Sequence, residues 1–285
     1  MDYLSTLASL SVLIFVVCSM MAMGLSLTMV EILEPLKNAS LVIKALIANF
    51  VLVPLLGFVL TRLMPVPDGA AVGLLIVACA AGAPFLPKLV QVAKGDVAFG
   101  VGLMTLLMVV TVIFMPIVLP LLLQGVQVDA LAIASALFFQ MLVPLAIGLF
   151  IRARYEEIAA HIQPIFSQAS NFALIALFVL GLILGFNSFV GAFGSWSILS
   201  SLLLIIGAVI IGYLLGGPGM NTRSVVSLGT GQRNLAAAMI VAGGNFSDPD
   251  VFTVVLIVAI IGLLLLMLTA GEMGKRADKT AVAAE

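Results

Sequence analysis

Nine apolar runs, each about long enough to cross a lipid bilayer, recur along this chain. Because lipid offers no hydrogen-bond partner to backbone groups, such runs are expected to be helices. Hydrophobic residues make up 63% of the 285 residues and charged residues only 9%, too little charge to cover a soluble domain of this size. The sequence therefore predicts an all-α polytopic membrane protein with one transmembrane domain over residues 1–285. The nine predicted helices cover about residues 8–27, 40–61, 70–92, 97–123, 131–151, 167–187, 197–215, 223–244 and 251–271.

Basic residues indicate the orientation of these helices. If the N-terminus is outside, nine lysines and arginines fall at the inner ends and loops, whereas only Arg62 falls outside. Cytoplasmic loops of membrane proteins are enriched in lysine and arginine. The pattern therefore predicts an outer N-terminus and a cytoplasmic C-terminus, in the inner membrane of a bacterium. The lipid bilayer is an expected partner, and nucleic acid is not, because the sequence has no basic patch.

Two of the predicted helices contain residues that interrupt a helix. The third contains Gly82, Pro84 and Pro87, and the eighth contains Gly229 and Gly231. Proline removes a backbone donor and glycine weakens a helix. If the fifth helix is set aside, each interrupted helix is the third in a repeat of four, and the two run in opposite directions. This order predicts an inverted repeat whose interrupted helices meet near the middle of the membrane and form a substrate site there.

Arg233 lies deep within the eighth predicted helix. It is ten residues from Arg223 and twelve from Asn245, or ~15 Å from either face of the bilayer core. A charge at that depth costs about 3 kcal/mol or more. None of the thirteen acidic residues falls in the middle of an apolar run, so Arg233 has no carboxylate partner at its depth. Backbone carbonyls at broken helix ends could balance such a buried cation, and so could an anionic ligand; the residues favour an anion site.

Other polar residues in the runs are candidates for the same site. Lys88 lies six residues before Lys94, about 9 Å from the inner face, so it either faces the site or extends its side chain to the surface. No metal-ligand spacing, cofactor motif or catalytic constellation is visible, so neither a cofactor nor an enzyme is expected. The predicted substrate-binding residues are Arg233, Asn234, Lys88, Asn49 and Gln232.

Three stretches resemble the bile acid:sodium symporter family, and the likeness covers nearly the whole chain. MMAMGLSLTMVEI in the first helix looks like the family's MGLTL, ACAAGAP with AKGDVAFGV looks like its CAPGG…ARGDVALSV, and GQRNLAAA looks like its GMQNSGLAAA. The last two stretches fall on the interrupted helices, which cross in the family. The resemblance implies a nine-helix arrangement in which a core domain and a smaller panel domain move against each other. The expected core is about residues 40–123, 167–187 and 223–271, and the expected panel is about residues 8–27, 131–151 and 197–215.

The resemblance also implies uptake of organic anions coupled to sodium, but the positions that would bind sodium differ here. Asn234 keeps a family asparagine and Asn49 stands in place of a family glutamine. The other ligand positions fall on Gly229, Arg233, Leu86, Pro87, Gly100 and Met104. Apolar side chains offer sodium no oxygen, and a guanidinium repels it. The sequence therefore predicts a secondary transporter of a small organic anion, working by alternating access, without obligatory sodium coupling.

Two alternative functions stay open at this point. Sodium coupling could persist through main-chain carbonyl oxygens. Arsenite exporters have a similar architecture and use a cysteine within the membrane, and Cys79 lies in the third predicted helix. The identity of the anion and the direction of transport are not written in the sequence.

Overall fold

The computed structural model describes residues 2–33, 37–123 and 128–282, and the side chains of residues 3–33, 37–123 and 128–277. Within these residues all the regular structure is helical. One isolated backbone bridge pairs Ala81 with Arg233. Two π turns, Ala48–Leu52 and Phe138–Leu142, connect α3 to α4 and α8 to α9. The helices are α1 Asp2–Ser26, α2 Met29–Leu33, α3 Ala39–Ile47, α4 Val53–Leu63, α5 Asp68–Cys79, α6 Leu86–Val92, α7 Val97–Leu122, α8 Ala130–Leu137, α9 Val143–Arg154, α10 Glu156–Leu184, α11 Phe186–Gly194, α12 Ser197–Leu215, α13 Met220–Gly231, α14 Leu235–Asn245 and α15 Pro249–Val282.

Seven helices in the described part of the chain are long and apolar enough to cross a membrane. They correspond to seven of the nine predicted runs, so the all-helical, multi-pass class is confirmed. The remaining two predicted runs each consist of two shorter helices, α5 with α6 and α13 with α14. Nine complete spans and the inverted repeat stay predictions. The seven candidate spans are Tyr3–Ser26, Ala39–Leu63, Val97–Leu122, Ala130–Arg154, Glu156–Leu184, Ser197–Leu215 and Pro249–Ala277.

Prolines account for the two π turns. Pro54 and Pro144 each occupy the first turn of the helix that follows a π turn. A proline has no N–H to donate to the preceding turn, and its ring crowds the carbonyl four residues earlier. The backbone adapts by widening for one turn, a feature common at functional sites. The first of these turns contains Asn49, which is fully buried.

Helix α10 begins earlier than the sequence predicted. The sixth apolar run was expected to start near residue 167, but the helix starts at Glu156. Residues 156–166 are too polar to count as part of a membrane run, yet they suit the beginning of a helix. Glu156 and Glu157 lie in the first turn, where carboxylates interact favourably with the helix dipole. Glu156 also forms an ion pair of 2.9 Å with Arg152 at the end of α9.

The helices pack in two groups. Helix α1 packs mainly on α9 and α10, with Gly24 and Gly148 at the closest approach of the α1 and α9 backbones. Helix α12 packs on α13, α15 and α4 instead. In these contacts residues 167–187 lie with α1 and residues 197–215 lie with α13, and the division into core and panel stays a prediction. Both runs are almost uniformly apolar, and such runs do not specify which neighbour a helix packs against.

Gly82 lies between α5 and α6 and should tolerate no side chain. Its φ of +77° favours glycine, and a Cβ atom there would overlap the backbone of Leu107 and Met108 in α7. Gly82→Ala is expected to lower the apparent melting temperature by at least roughly 4 °C, measured by circular dichroism in detergent. Gly191→Ala is the matched control, because a Cβ atom at Gly191 has no neighbour within 4 Å. Equal melting temperatures for the two variants would contradict the strained geometry at Gly82.

Candidate functional site

The two interrupted helix pairs touch each other at their breaks. Helix α5 ends at Cys79 before α6 begins at Leu86, and α13 ends at Gly231 before α14 begins at Leu235. The bridge between Ala81 and Arg233 joins the two irregular segments, and the backbone N–H of Asn234 donates to the Ala80 carbonyl at 2.9 Å. The C-terminal ends of α5 and α13 therefore lie close together in the interior of the bundle.

The residues expected to interrupt the helices lie at or near the breaks. Gly82 and Pro84 lie between α5 and α6, and Pro87 lies in the first turn of α6. Gly231 is the last residue of α13. Gly229 lies inside α13, where a Cβ atom would be 3.0 Å from the Leu86 side chain, so the absence of a side chain allows α6 to pack closely.

Asn234 connects the two breaks, between α5 and α6 and between α13 and α14, whose contact we call the crossing. Its Oδ1 accepts from the Ala237 N–H at 3.1 Å and caps α14. Its Nδ2 donates to the carbonyl oxygens of Ala81 at 3.2 Å and Gly82 at 2.7 Å. The side chain is fully buried, and all these bonds are made within the protein, so Asn234 positions the backbone at the break.

The Arg233 guanidinium binds oxygen atoms at the ends of both broken helices. Nε donates to the Val77 carbonyl at 3.2 Å, and Nη2 donates to the Ala78 carbonyl at 2.8 Å, both in the last turn of α5. Nη1 donates to the Thr230 carbonyl in the last turn of α13, at 3.0 Å. Helix C-terminal ends carry partial negative charge and unpaired carbonyls. The cation therefore satisfies two helix ends at once.

Asn49 completes the set of oxygen atoms around the guanidinium. Its Oδ1 accepts from Arg233 Nη1 at 3.0 Å. Its Nδ2 donates to Thr230 Oγ1 at 3.2 Å and to the Ala45 carbonyl at 3.0 Å. The structure thus brings together three of the five predicted binding residues, Arg233, Asn234 and Asn49, at the crossing.

Two threonines take part in the crossing although the sequence did not point to them. Thr111 in α7 accepts from the Ala81 N–H at 3.0 Å, and its hydroxyl donates to the Ala81 carbonyl at 2.9 Å. Thr230 Oγ1 accepts from Asn49. A threonine in a membrane helix normally bonds to its own helix, so neither residue gave a signal in the sequence.

A cavity of about 540 Å³ lies next to the crossing. Its walls come from α1 and α10 on one side and from the break at residues 83–85, α14 and α15 on the other. Most of its lining is apolar, which is usual for a site that binds a small molecule. The polar and charged residues that line it are Ser19, Ser26, Gln163, Ser167, Ser170, Asn171, Gln232 and Arg233.

Gln232 and Lys88, the other two predicted residues, lie in different places. Gln232 lines the cavity and is only 8% exposed. Lys88 is an exposed residue of α6 and does not line the cavity. The structure therefore does not bring Lys88 to Arg233, and its exposure agrees with the alternative that the side chain extends to the surface.

Comparison with known proteins identifies the family. The model of the Sodium Bile acid symporter family matches residues 12–192, which is more than half of the chain. The chain belongs to the sodium bile acid symporter family. The match includes the break between α5 and α6 and ends before α13, so Arg233 lies beyond it.

Several curated proteins are similar to this chain. The probable sodium/metabolite cotransporter BASS1 of Arabidopsis thaliana chloroplasts is 27% identical over 240 residues, covering 81% of this chain and 58% of the relative. The uncharacterized sodium-dependent transporter YocS of Bacillus subtilis is 28% identical over 226 residues, covering 75% of this chain and 65% of the relative. The chain thus spans less than two thirds of the length of either relative.

Among the described residues of this family member, Arg233 is the one buried charged side chain. Its charge is balanced by carbonyl dipoles and by Asn49 rather than by a carboxylate. Carbonyl dipoles lower the cost of burying a cation without cancelling its charge. Arg233, whose charge no carboxylate of the described residues neutralises, is also one of the residues that line the cavity.

The pairing of Arg233 with Asn49 is measurable as a coupling energy. In a double-mutant cycle of Arg233→Gln, Asn49→Leu and the double variant, we expect a coupling of about 1–3 kcal/mol. The measurement is SDS-induced unfolding in mixed micelles. In the matched control cycle, Arg223→Gln replaces Arg233→Gln. Arg223 is only partly buried, and its side chain bonds to a single carbonyl, that of Gly217, rather than to Asn49. Strictly additive effects of the Arg233 and Asn49 substitutions would rule out the pairing.

Proposed function

We propose that this chain is a secondary transporter that moves a small organic anion across a membrane by alternating access. The observation that carries the proposal is Arg233, a buried cation that has no carboxylate partner in the described structure and is one of the residues that line a cavity of about 540 Å³. Membership of a transporter family supports the same function. The names of the similar proteins, sodium/metabolite cotransporter and sodium-dependent transporter, support transport rather than an enzymatic reaction.

Electrostatics favour an anion as the ligand. Among the described residues, no aspartate or glutamate lines the cavity, and Arg233 is its one charged residue. The first two residues of α14, Leu235 and Ala236, also line it. The N-terminus of a helix carries partial positive charge and attracts anions. A cation would meet repulsion from both groups, whereas an organic anion with an apolar body would match the charge and the apolar walls.

The position of the cavity supports a movement between two groups of helices. We propose that α1, α9 and α10 form a panel-like group, and that α4 to α7 and α12 to α15 form a core-like group. The cavity lies between α1 and α10 on one side and the crossing on the other. A relative shift of the two groups would then expose the crossing to each side of the membrane in turn, as in other transporters with interrupted helices.

We further propose that Arg233 takes the place of a coupling cation. In transporters with broken helices, unwound carbonyls and helix C-terminal ends coordinate sodium. Here the carbonyls of Val77, Ala78 and Thr230 already accept from Arg233, which is covalently attached and cannot dissociate. The donor set at this position therefore does not fit an additional sodium ion, and transport would not depend strictly on sodium.

Sodium-coupled symport is the alternative supported by the names of the relatives, which include the word sodium. It would need oxygen ligands other than those engaged by Arg233. Arsenite-type export has less support, because Cys79 is fully buried and does not line the cavity. The cavity offers such a substrate no thiol.

A sodium-replacement experiment separates sodium-independent transport from sodium coupling. In proteoliposomes loaded with labelled hexanoate, replacing sodium by potassium should change wild-type exchange less than about twofold, because sodium would favour no state of the carrier. Arg233→Gln removes the attached cation and its hydrogen bonds to three carbonyls. Its exchange should be slower in potassium and stimulated at least about fivefold by saturating sodium. Steep sodium dependence of the wild type would contradict the proposal.

The proposed location is the inner membrane of a bacterium, with the N-terminus outside and the C-terminus in the cytoplasm. The bias of lysine and arginine toward one side supports this orientation. In a variant without Cys18 and Cys79, Arg62→Cys should react with a membrane-impermeant maleimide in intact cells. Arg154→Cys, at the end of α9, should react only after the cells are opened. The opposite labelling pattern would reverse the orientation.

A further inference from the structure

A second cavity, of about 410 Å³, lies where α12, α13 and α15 meet, and we call it the α12–α15 cleft. Tyr213 of α12, Met220 of α13 and Arg276 of α15 are among the residues that line it. Tyr213 lies near the end of the candidate span Ser197–Leu215, and Arg276 lies near the end of the candidate span Pro249–Ala277. The cleft is therefore at the level where two spans end, and lipid headgroups lie at that level.

Two guanidinium groups border the α12–α15 cleft. Arg276 lines it. The Cζ atom of Arg223 lies 5.0 Å from the centre of the Tyr213 ring, and Arg223 follows Met220 by three residues, which places both on one face of α13. Nε of Arg223 donates to the Gly217 carbonyl at 2.8 Å, whereas its Nη1 and Nη2 make no hydrogen bond within the described structure. These two nitrogen atoms can donate to a ligand.

The charge around the cleft favours an anion. Glu272 is the one carboxylate among the described residues that line it, and its Oε1 lies 3.4 Å from Nε of Arg276. Both side chains are exposed, and an exposed ion pair of this kind contributes little to stability. A ligand oxygen can therefore compete with Glu272 for Arg276, and the second guanidinium, that of Arg223, adds positive charge.

Phosphate is the anion that suits two guanidinium groups best. The planar fork of an arginine side chain matches the spacing of phosphate oxygens and donates to two of them at once. A phosphate that accepts from both Arg223 and Arg276 would connect the ends of α13 and α15.

An apolar surface leads from the cleft toward the middle of the two spans. Leu268 lines the cleft, and Leu264, one turn earlier in α15, is exposed. Ile210, three residues before Tyr213 in α12, is exposed as well. The spacings of four and three residues place each pair on one face of its helix. Exposed apolar side chains within a span contact acyl chains, so a phosphate with hydrocarbon tails fits this surface and a free phosphate leaves it unused.

We propose that the α12–α15 cleft binds the headgroup of an anionic phospholipid, with Arg223 and Arg276 as the residues that hold its phosphate. Basic pockets at the ends of membrane helices are suited to such headgroups. A choline headgroup would bring an ammonium group toward the two guanidinium groups, so phosphatidylglycerol is favoured over phosphatidylcholine. This inference goes beyond the proposed function and does not depend on it.

The test is isothermal titration calorimetry on the purified full chain in a non-ionic detergent, with three probes: dihexanoyl phosphatidylglycerol, dihexanoyl phosphatidylcholine and inorganic phosphate. The two lipids have the same acyl chains, and inorganic phosphate has none. The wild type should bind phosphatidylglycerol at least about tenfold more tightly than either of the other probes.

Substitutions around the cleft should change the affinity for phosphatidylglycerol in opposite directions. Arg223→Gln and Arg276→Gln should each weaken binding about tenfold, because each removes charged hydrogen bonds to the phosphate. Glu272→Gln should tighten binding about threefold, because it removes the carboxylate that competes for Arg276. Arg154→Gln is the matched control and should bind as the wild type does, since Arg154 is an exposed arginine at the end of α9 that does not line the cleft.

Each contrary result overturns the lipid site in a different way. Equal affinity for the two lipids would show that the headgroup charge is not read, and equal affinity for inorganic phosphate would show a site for free phosphate. An equal loss in Arg154→Gln and Arg223→Gln would show that the lipid responds only to the overall charge of the protein. Absence of phosphatidylglycerol binding would remove the site, and all these outcomes leave organic-anion transport untouched.

Discussion

The contact between Arg233 and the C-terminal ends of two broken helices is the interaction on which the rest of the interior depends. Breaking a helix inside a membrane leaves carbonyl groups that neither water nor lipid can satisfy. One guanidinium donates to carbonyls of α5 and α13 together and also to Asn49. A planar group with five donors is suited to this task, and a lysine ammonium is not. The two breaks can therefore meet without leaving their carbonyls unpaired.

Three consecutive residues have different roles at the crossing. Asn234 bonds to the segment between α5 and α6 and caps α14, Arg233 satisfies the helix ends, and Gln232 is one of the residues that line the cavity. The same short segment thus supports the fold and contributes to the lining of the cavity. Under the proposed function, Arg233 takes the place of a coupling ion.

The depth of Arg233 and the position of the two interrupted helices were accessible from the sequence, because proline, glycine and charge are unusual within apolar runs. The contact between Asn49 and Arg233 could be predicted from the sequence only in part. Both residues were expected at the site, but nothing in the spacing specified that one would accept from the other across 184 positions. Thr111 gave no signal, since threonine is common in membrane helices. The earlier start of α10 was missed because its first turns are polar and look like a loop.

By itself, the sequence determined the helical, multi-pass class and the two interruptions, because the bilayer permits few ways to satisfy backbone groups. It also determined that a cation would be buried without a carboxylate. Only the tertiary structure decided that α10 packs with α1 and α12 with α13, that Lys88 is exposed, and that the Gln232 amide is left unpaired. Hydrophobic patterning reports that a surface is apolar, whereas the choice of neighbour depends on shape and close packing between distant segments. Those contacts do not exist until the chain is folded.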